Sequence, residues 1–436
     1  MIRDKMNDLV AWKSKESRKP LVVRGARQVG KTWLMKEFGQ RYFEKVLYVN
    51  FEKSRHLQSL FEHDFDIKRI KIALQTESGI SITPSNTLIV FDEIQSAPSA
   101  LNALKYFFED APDLFIIAAG SLLGLALHAH TSFPVGKVEF MDLYPMSYYE
   151  FLDALGEKRL LEVLKSCDWP LITTFKMKYV ELLRHYYFVG GMPEAVSVFR
   201  KDYDFKEVRY VQRNILDAYE QDFSKHAPTE LVPRIRMVWN SIPSQLAKEN
   251  RKFIYGVMKE GARAKEFELA IEWLVNCGQV HKVFRATKPS IPLKAYEDQS
   301  AFKLYLVDIG LLAAMGNLDA KTLLEGNRIF NEFKGAITEQ FVLQQLVNNS
   351  NNSIFYWSAE RSTSEIDFLV QNSGNVLPVE VKAEENLQAK SLKVFHQKYS
   401  PNISIRTSMS DYREQAWLIN LPLYGINELV SLKRRS

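Results

Sequence analysis

The chain has 436 residues, 46% apolar and 25% charged, the balance of an ordinary globular protein with two to four domains and a sizeable core. Its net charge of +5 is too weak to argue by itself for a nucleic-acid partner. Two cysteines, Cys167 and Cys277, lie far apart without CxxC spacing, and eight histidines show no metal-ligand spacing, which excludes a disulfide scaffold and fits a reducing cytosol.

The opening stretch MIRDKMNDLVAWKSKESRKP carries charges throughout, so no secretory leader is expected there. The most apolar stretch, Leu114–Leu127, is interrupted by Gly120, Ser121 and Gly124 and is too short to span a bilayer. A cytoplasmic protein without membrane association is expected, and no internal repeat is evident.

Leu21-Val22-Val23 is followed by Gly25-Ala26-Arg27-Gln28-Val29-Gly30-Lys31-Thr32 and then by a helical pattern from Trp33 to Phe38. Strand, glycine-bounded loop and helix are the context a Walker A motif requires. The two glycines let the backbone curl so that several N–H groups point at one phosphate, and the helix start adds a favourable dipole. Residues 25–32 are therefore expected to bind ATP, with Lys31 on the β- and γ-phosphates and Thr32 on Mg²⁺. Lys45–Phe51 reads as a second strand. Thr87–Phe91 is apolar on both faces, as a central parallel strand is, and ends in Asp92-Glu93. In this Walker B signature Asp92 would hold Mg²⁺ through water, and Glu93 would orient or deprotonate the attacking water. A helix is expected over Ala100–Phe108 and a strand over Leu114–Ala119. Ser121, just beyond that strand, is a candidate sensor of the γ-phosphate; plain turn chemistry is the alternative.

Glu157–Leu183 reads as mixed helix, and Gly190-Gly191-Met192-Pro193 as a turn ahead of the helix from Glu194. Positions 225–265 hold nine Lys/Arg against three Glu, an excess larger than the charge of the whole chain. A helical pattern is expected over Leu231–Ile242 and on through Ser244-Gln245-Leu246 after Pro243, and a further helix over Phe267–Cys277. Strands over Gly278–Phe284 and Phe302–Val307 follow, in a winged-helix order. The charge suits DNA contact, and equally a solvated face on a packing module.

A helix over Gly326–Leu346 carries Glu339, with Phe330, Phe333, Ile337 and Phe341 recurring at helical spacing. Strands over Ile354–Trp357, Glu365–Val370 and Val376–Val381 follow. An Asp, a hairpin and Glu-x-Lys form a PD-(D/E)xK arrangement of Asp367, Glu380 and Lys382. Residues two apart on a strand share a face, so Glu380 and Lys382 would point the same way. Asp367 and Glu380, with Glu339 from the helix, are candidate ligands for a second divalent ion, and Lys382 a candidate water-activating residue. Salt bridging, for example between Lys382 and Asp367, is the structural alternative.

The chain resembles the bacterial and archaeal P-loop ATPases of the AAA-related group that carry a domain of unknown function behind the ATPase core. The resemblance rests on GARQVGKT (25–32), LIVFDEIQ (88–95), AAGSLL (118–123), LYPMSYYEFL (143–152), GGMPEAV (190–196) and FKLYLVDIGLL (302–312). Glu339, EIDF (365–368) and VEVK (379–382) continue it. It implies an α/β fold: an ATPase domain with a parallel sheet (1–155), a helical lid (156–225), a winged-helix module (226–315) and a PD-(D/E)xK nuclease-like domain (316–436). In related signalling ATPases a Gly-x-Pro turn of the lid lies against the adenine, which carries to Gly191 and Pro193. The expected activity is Mg²⁺-dependent ATP hydrolysis coupled to nucleic-acid binding or processing. The alternative is an ATP-controlled switch or scaffold for a protein partner with an inactive nuclease-like domain. A homo-oligomer would follow if hydrolysis used a neighbour's arginine. Family members read Gly-Arg where this chain reads Gly136-Lys137, and lysine lacks the planar fork such a finger uses.

Overall fold

The apolar runs on either side of the phosphate loop form one parallel sheet. Its strands are β1 (Leu21–Arg24), β2 (Lys45–Asn50), β3 (Thr87–Asp92), β4 (Phe115–Ala119) and β5 (Glu139–Asp142), in the order β2-β3-β4-β1-β5. Every residue of β3 is buried, as its uninterrupted apolar sequence requires of a central strand. On one face Phe91 packs with Phe51, Phe61 and Phe107, bringing in the helices Arg55–His63 and Pro98–Asp110. Trp12 meets Phe38 and Phe115 at ring-centroid distances of 6.4 and 6.2 Å, which ties the helices Lys5–Lys13 and Lys31–Tyr42 to the sheet. This computed structural model describes residues 1–121, 136–248, 252–325, 331–349, 353–359, 363–385 and 388–432. The chain divides into two units, Ile2–Tyr144 with Trp273–Gln279, and Pro145–Glu272 with Val280–Ser436 and Met1. The end of AAGSLL, and Phe330 with the start of the helix expected from Gly326, lie outside the described residues.

The second unit carries an eight-stranded mixed sheet. Its strands are β6 (Val280–Ala286), β7 (Glu297–Leu306), β8 (Ile354–Ser358), β9 (Glu365–Asn372), β10 (Asn375–Val381), β11 (Ser404–Ser408), β12 (Arg413–Glu414) and β13 (Leu418–Pro422), in the order β12-β13-β11-β10-β9-β8-β6-β7. The hairpin read as the wing of a separate 226–315 module therefore continues the sheet of the 316–436 region, because β6 pairs in parallel with β8 at Phe284–Phe355. Helix Lys390–Tyr399 buries Leu392 and Phe395 against Trp357 and Leu369 of this sheet.

Pro243 lies inside its helix. The helix runs Val232–Leu246, and Ala247 N still donates to Pro243 O at 3.0 Å. Burial of Ile235, Val238, Trp239, Ile242 and Leu246, with Trp239 edge-on to Tyr219 and Phe223, outweighs the lost hydrogen bond.

Helix Asn331–Asn349 buries a polar face as well as the apolar one. Gln340 exchanges two hydrogen bonds with the backbone of Leu306, Gln344 accepts from Ile309 N, and Gln345 accepts from Tyr148 N. At the centre stands Asp308, fully buried at the start of helix Ile309–Met315. Its carboxylate accepts from Gly191 N at 2.6 Å, Gln344 Nε2 at 2.9 Å and Leu311 N at 3.0 Å. Gly191 has no room for a side chain: a Cβ there would lie 2.1 Å from Met146 O, and Met146 N donates to Gly191 O at 2.7 Å. Pro193 opens the next helix, Pro193–Asp202, where its missing N–H costs nothing. Both residues thus have a structural reason to be where they are.

Asp308→Ala strips three buried N–H donors of their acceptor at once. The unfolding free energy is expected to drop by about 3 kcal/mol, read as a lower urea midpoint. A midpoint within experimental error of wild type would show that the network contributes nothing.

Candidate functional site

The loop after β1 needs backbone that few residues adopt, and the sequence supplies it. Gly25 and Gly30 have φ of +149° and +94°, and Gln28 between them takes φ +68°. Gly30 caps helix Lys31–Tyr42, so the free N–H groups of the first turn face the loop, as an anion site requires. Arg3, which the sequence reading passed over, fixes the loop from outside: its guanidinium donates to Val29 O at 2.8 Å and Tyr144 O at 2.6 Å. A lone arginine beside the first helix gives no local signal of that role. Trp273–Gln279 belongs to the same unit, and a Cβ on Gly278 would come within 3.1 Å of Ala26 N.

Lys31 is 6% exposed. Its ammonium donates to Gly25 O at 2.8 Å and Ala26 O at 2.7 Å, so the loop's own carbonyls hold it. Burial pushes it down to about 8, against the opposing influence of Glu93 and then Asp92, while Arg27 lowers it further. Thr32 Oγ1 and Tyr48 OH both donate to Asp92 Oδ2 at 2.7 Å. Tyr48, on β2, is a second residue the sequence reading missed; burial raises its phenol to about 12, so it stays a donor. Glu93 follows Asp92 with φ +52°, its own N–H on Asp92 Oδ1 at 3.1 Å, and Gln95 Nε2 donates to Glu93 Oε2 at 2.6 Å. Ser121 is buried just after β4, the strand between β3 and β1.

These residues fit a nucleoside triphosphate with Mg²⁺. Glycine-shaped backbone and a helix start form the anion cradle, a buried ammonium stands beside it, and a hydroxyl and a carboxylate already converge as a hard-cation donor pair. The nearby cations are engaged within their own unit. Arg24 makes a bidentate pair with Asp142 at 2.8 and 2.9 Å over the Phe140 ring, and Lys137 pairs with Glu109 at 3.0 Å.

The C-terminal carboxylates fall into two groups. Asp367 on β9 accepts from Val381 N at 2.7 Å. Glu380 on β10 pairs with Lys382 at 3.0 Å, so the lysine's partner is Glu380 rather than Asp367. Burial raises the Glu380 carboxyl above its usual range; Lys382 opposes this and Asp367 adds to it. Glu339 accepts from Tyr305 OH at 3.0 Å and lies 3.8 Å from the fully buried Lys303, which also bonds Glu365. Among the described residues no group of three or more His, Cys, Asp or Glu is disposed to hold a metal ion. The second divalent ion expected at Asp367, Glu380 and Glu339 thus finds no support.

Residues 17–152 match an AAA domain family, residues 334–424 a domain of unknown function (DUF4143), and residues 180–322 another (DUF8612). The chain therefore carries an AAA-type P-loop ATPase domain, an ATP-binding fold, followed by a DUF4143 domain. Among solved structures it is similar to a Walker-type ATPase of Pyrococcus abyssi, with 15% identity over 72% of this chain and 96% of that one and a TM-score of 0.45. It is also similar to the ORC1 protein of Aeropyrum pernix in complex with DNA, with 12% identity, 73% and 93% covered and a TM-score of 0.27. PCH-2 of C. elegans matches at 14% identity over 46% and 62%, with a TM-score of 0.27. No curated protein matches the chain. Among the described residues no helix is long and apolar enough to cross a membrane.

A lysine held at about 8 is half discharged at pH 8. A triphosphate favours the charged form, so binding takes up a proton above that pH and weakens as pH rises. The ATP association constant, measured by calorimetry in excess Mg²⁺, is expected to fall roughly tenfold per unit above pH 8. Lys31→Arg should flatten the profile, because a guanidinium keeps its charge. A wild-type constant equal at pH 7.5 and pH 9.5 would contradict the assigned burial.

Proposed function

We propose that the protein hydrolyses ATP with Mg²⁺ and uses the nucleotide state as a switch on a protein partner. The observation that supports this best is the convergence of Thr32 and Tyr48 on Asp92 Oδ2, beside Lys31 and Glu93 at one end of the parallel sheet. Mg²⁺, when bound, supplies charge neutralisation on the triphosphate, with Thr32 and Asp92 as its holders. Lys31 leaves the Gly25 and Ala26 carbonyls for phosphate oxygens. Glu93 accepts the proton of the attacking water; the water oxygen bonds to the γ-phosphorus, and the bridging bond to the β-phosphate breaks, giving ADP and phosphate.

Two observations favour a protein partner over DNA. The exposed face of helix Ala264–Asn276, which a winged-helix reading would put in a groove, carries Lys265 but also Glu266, Glu268, Glu272 and Leu269, the last 65% exposed. A phosphate backbone repels such a face. In the nuclease-like set, Lys382 is paired with Glu380, and Asp367 is occupied by a backbone amide. The segment Trp273–Gln279, which belongs to the nucleotide unit, continues directly into β6 and offers a covalent route for the signal.

Glu93→Gln is expected to bind ATP as tightly as wild type and to release phosphate at least about 100-fold more slowly. Turnover at the wild-type rate would remove Glu93 from the reaction. Single- and double-stranded DNA at low salt are expected to leave the ATPase rate unchanged; stimulation of several-fold would restore the nucleic-acid reading.

A further inference from the structure

Glu93 and Gln95 form a unit that the Walker B signature does not account for. Glu93 adopts left-handed backbone at φ +52° without a glycine's freedom, a conformation that persists only where its surroundings enforce it. Gln95 lies in the single turn Ile94–Ser96, which is closed by Ser96 N on Glu93 O at 3.0 Å and Ala97 N on Ile94 O at 2.9 Å. From there its Nε2 reaches back to Glu93 Oε2 at 2.6 Å. The other end of the same amide, Oε1, is buried and has no hydrogen-bond partner among the described residues. Buried carbonyl oxygens are rarely left so, because the lost solvation is costly. An acceptor without a donor therefore stands beside the carboxylate whose charge acts on Lys31 of the phosphate loop.

We propose that Gln95 positions the attacking water: Nε2 holds one oxygen of the Glu93 carboxylate, and Oε1 accepts one hydrogen of the water while the free Glu93 oxygen accepts the other. This rests on the hydrolysis reading above and adds a residue to it. The amide suits the task because it offers a donor and an acceptor on one rigid plane. The hydrogen on Oε1 stays with the water oxygen as that oxygen bonds to phosphorus, and the other proton passes to Glu93. A carboxylate at position 95 could not donate to Glu93, and the two like charges would compete for a proton.

The test compares wild type, Gln95→Ala and the isosteric Gln95→Glu by steady-state kinetics and by calorimetry with Mg²⁺–ADP and Mg²⁺–ADP–aluminium fluoride, which mimics the reacting phosphate. Both variants are expected to lose about 10- to 100-fold in kcat with KM for ATP within about twofold. ADP should bind as to wild type, and ADP–aluminium fluoride more weakly by a factor like that lost in kcat. Wild-type kcat in Gln95→Ala, or an equal loss of ADP and ADP–aluminium fluoride affinity in both variants, would overturn the assignment. If Lys31→Ala is inactive while Gln95→Ala runs at full speed, only the role of Gln95 fails. If wild type and Lys31→Ala hydrolyse ATP alike, the hydrolysis reading fails and Gln95 falls with it.

Discussion

One carboxylate oxygen organises the nucleotide unit. Asp92 Oδ2 receives Thr32 from the helix behind the loop and Tyr48 from the neighbouring strand, both at 2.7 Å. Two donors on one buried oxygen fix where β3 ends relative to β2 and to the helix start. The remaining geometry follows from that: the turn after Asp92 must carry Glu93 away from the strand, and the left-handed backbone at Glu93 does so. Without this anchor the loop would still curl, but the Thr32–Asp92 pair and Glu93 would not be held together.

In the second unit buried polar groups again set the positions, with backbone amides as their partners. Asp308, Gln340, Gln344 and Gln345 meet N–H groups of Gly191, Leu306, Ile309 and Tyr148. An apolar core of the same volume would tolerate small slips of these segments. Directional bonds in a low-dielectric interior do not, so the turn at Gly190-Gly191 is held to one conformation.

The loop and the acidic strand end were legible in the sequence because their requirements are local: glycines where φ must be positive, an apolar run where both faces are covered, acids where the strand stops. The parallel sheet followed from the same runs. Arg3, Tyr48 and Gln95 were not legible, since each acts through a partner its local pattern does not reveal. Lys303 looked like an ordinary strand lysine, yet it is fully buried between Glu365 and Glu339. The helical pattern on both sides of Pro243 was legible too, and one helix packed through Trp239 and Leu246 joins them. Glu339, Asp367 and Glu380 were read from spacing as one ligand set, whereas Glu339 is drawn off by Tyr305.

The Lys31 ammonium seated on two carbonyls of its own loop also bears on which anions can enter. An incoming ligand has to displace an internal ligation shell before it gains the ammonium. A lone orthophosphate offers little beyond what it displaces, whereas a polyphosphate adds the amide cradle and the helix start in the same event. Two internal hydrogen bonds of the Lys31 ammonium thus set a threshold that a longer anion meets with more contacts than a small one.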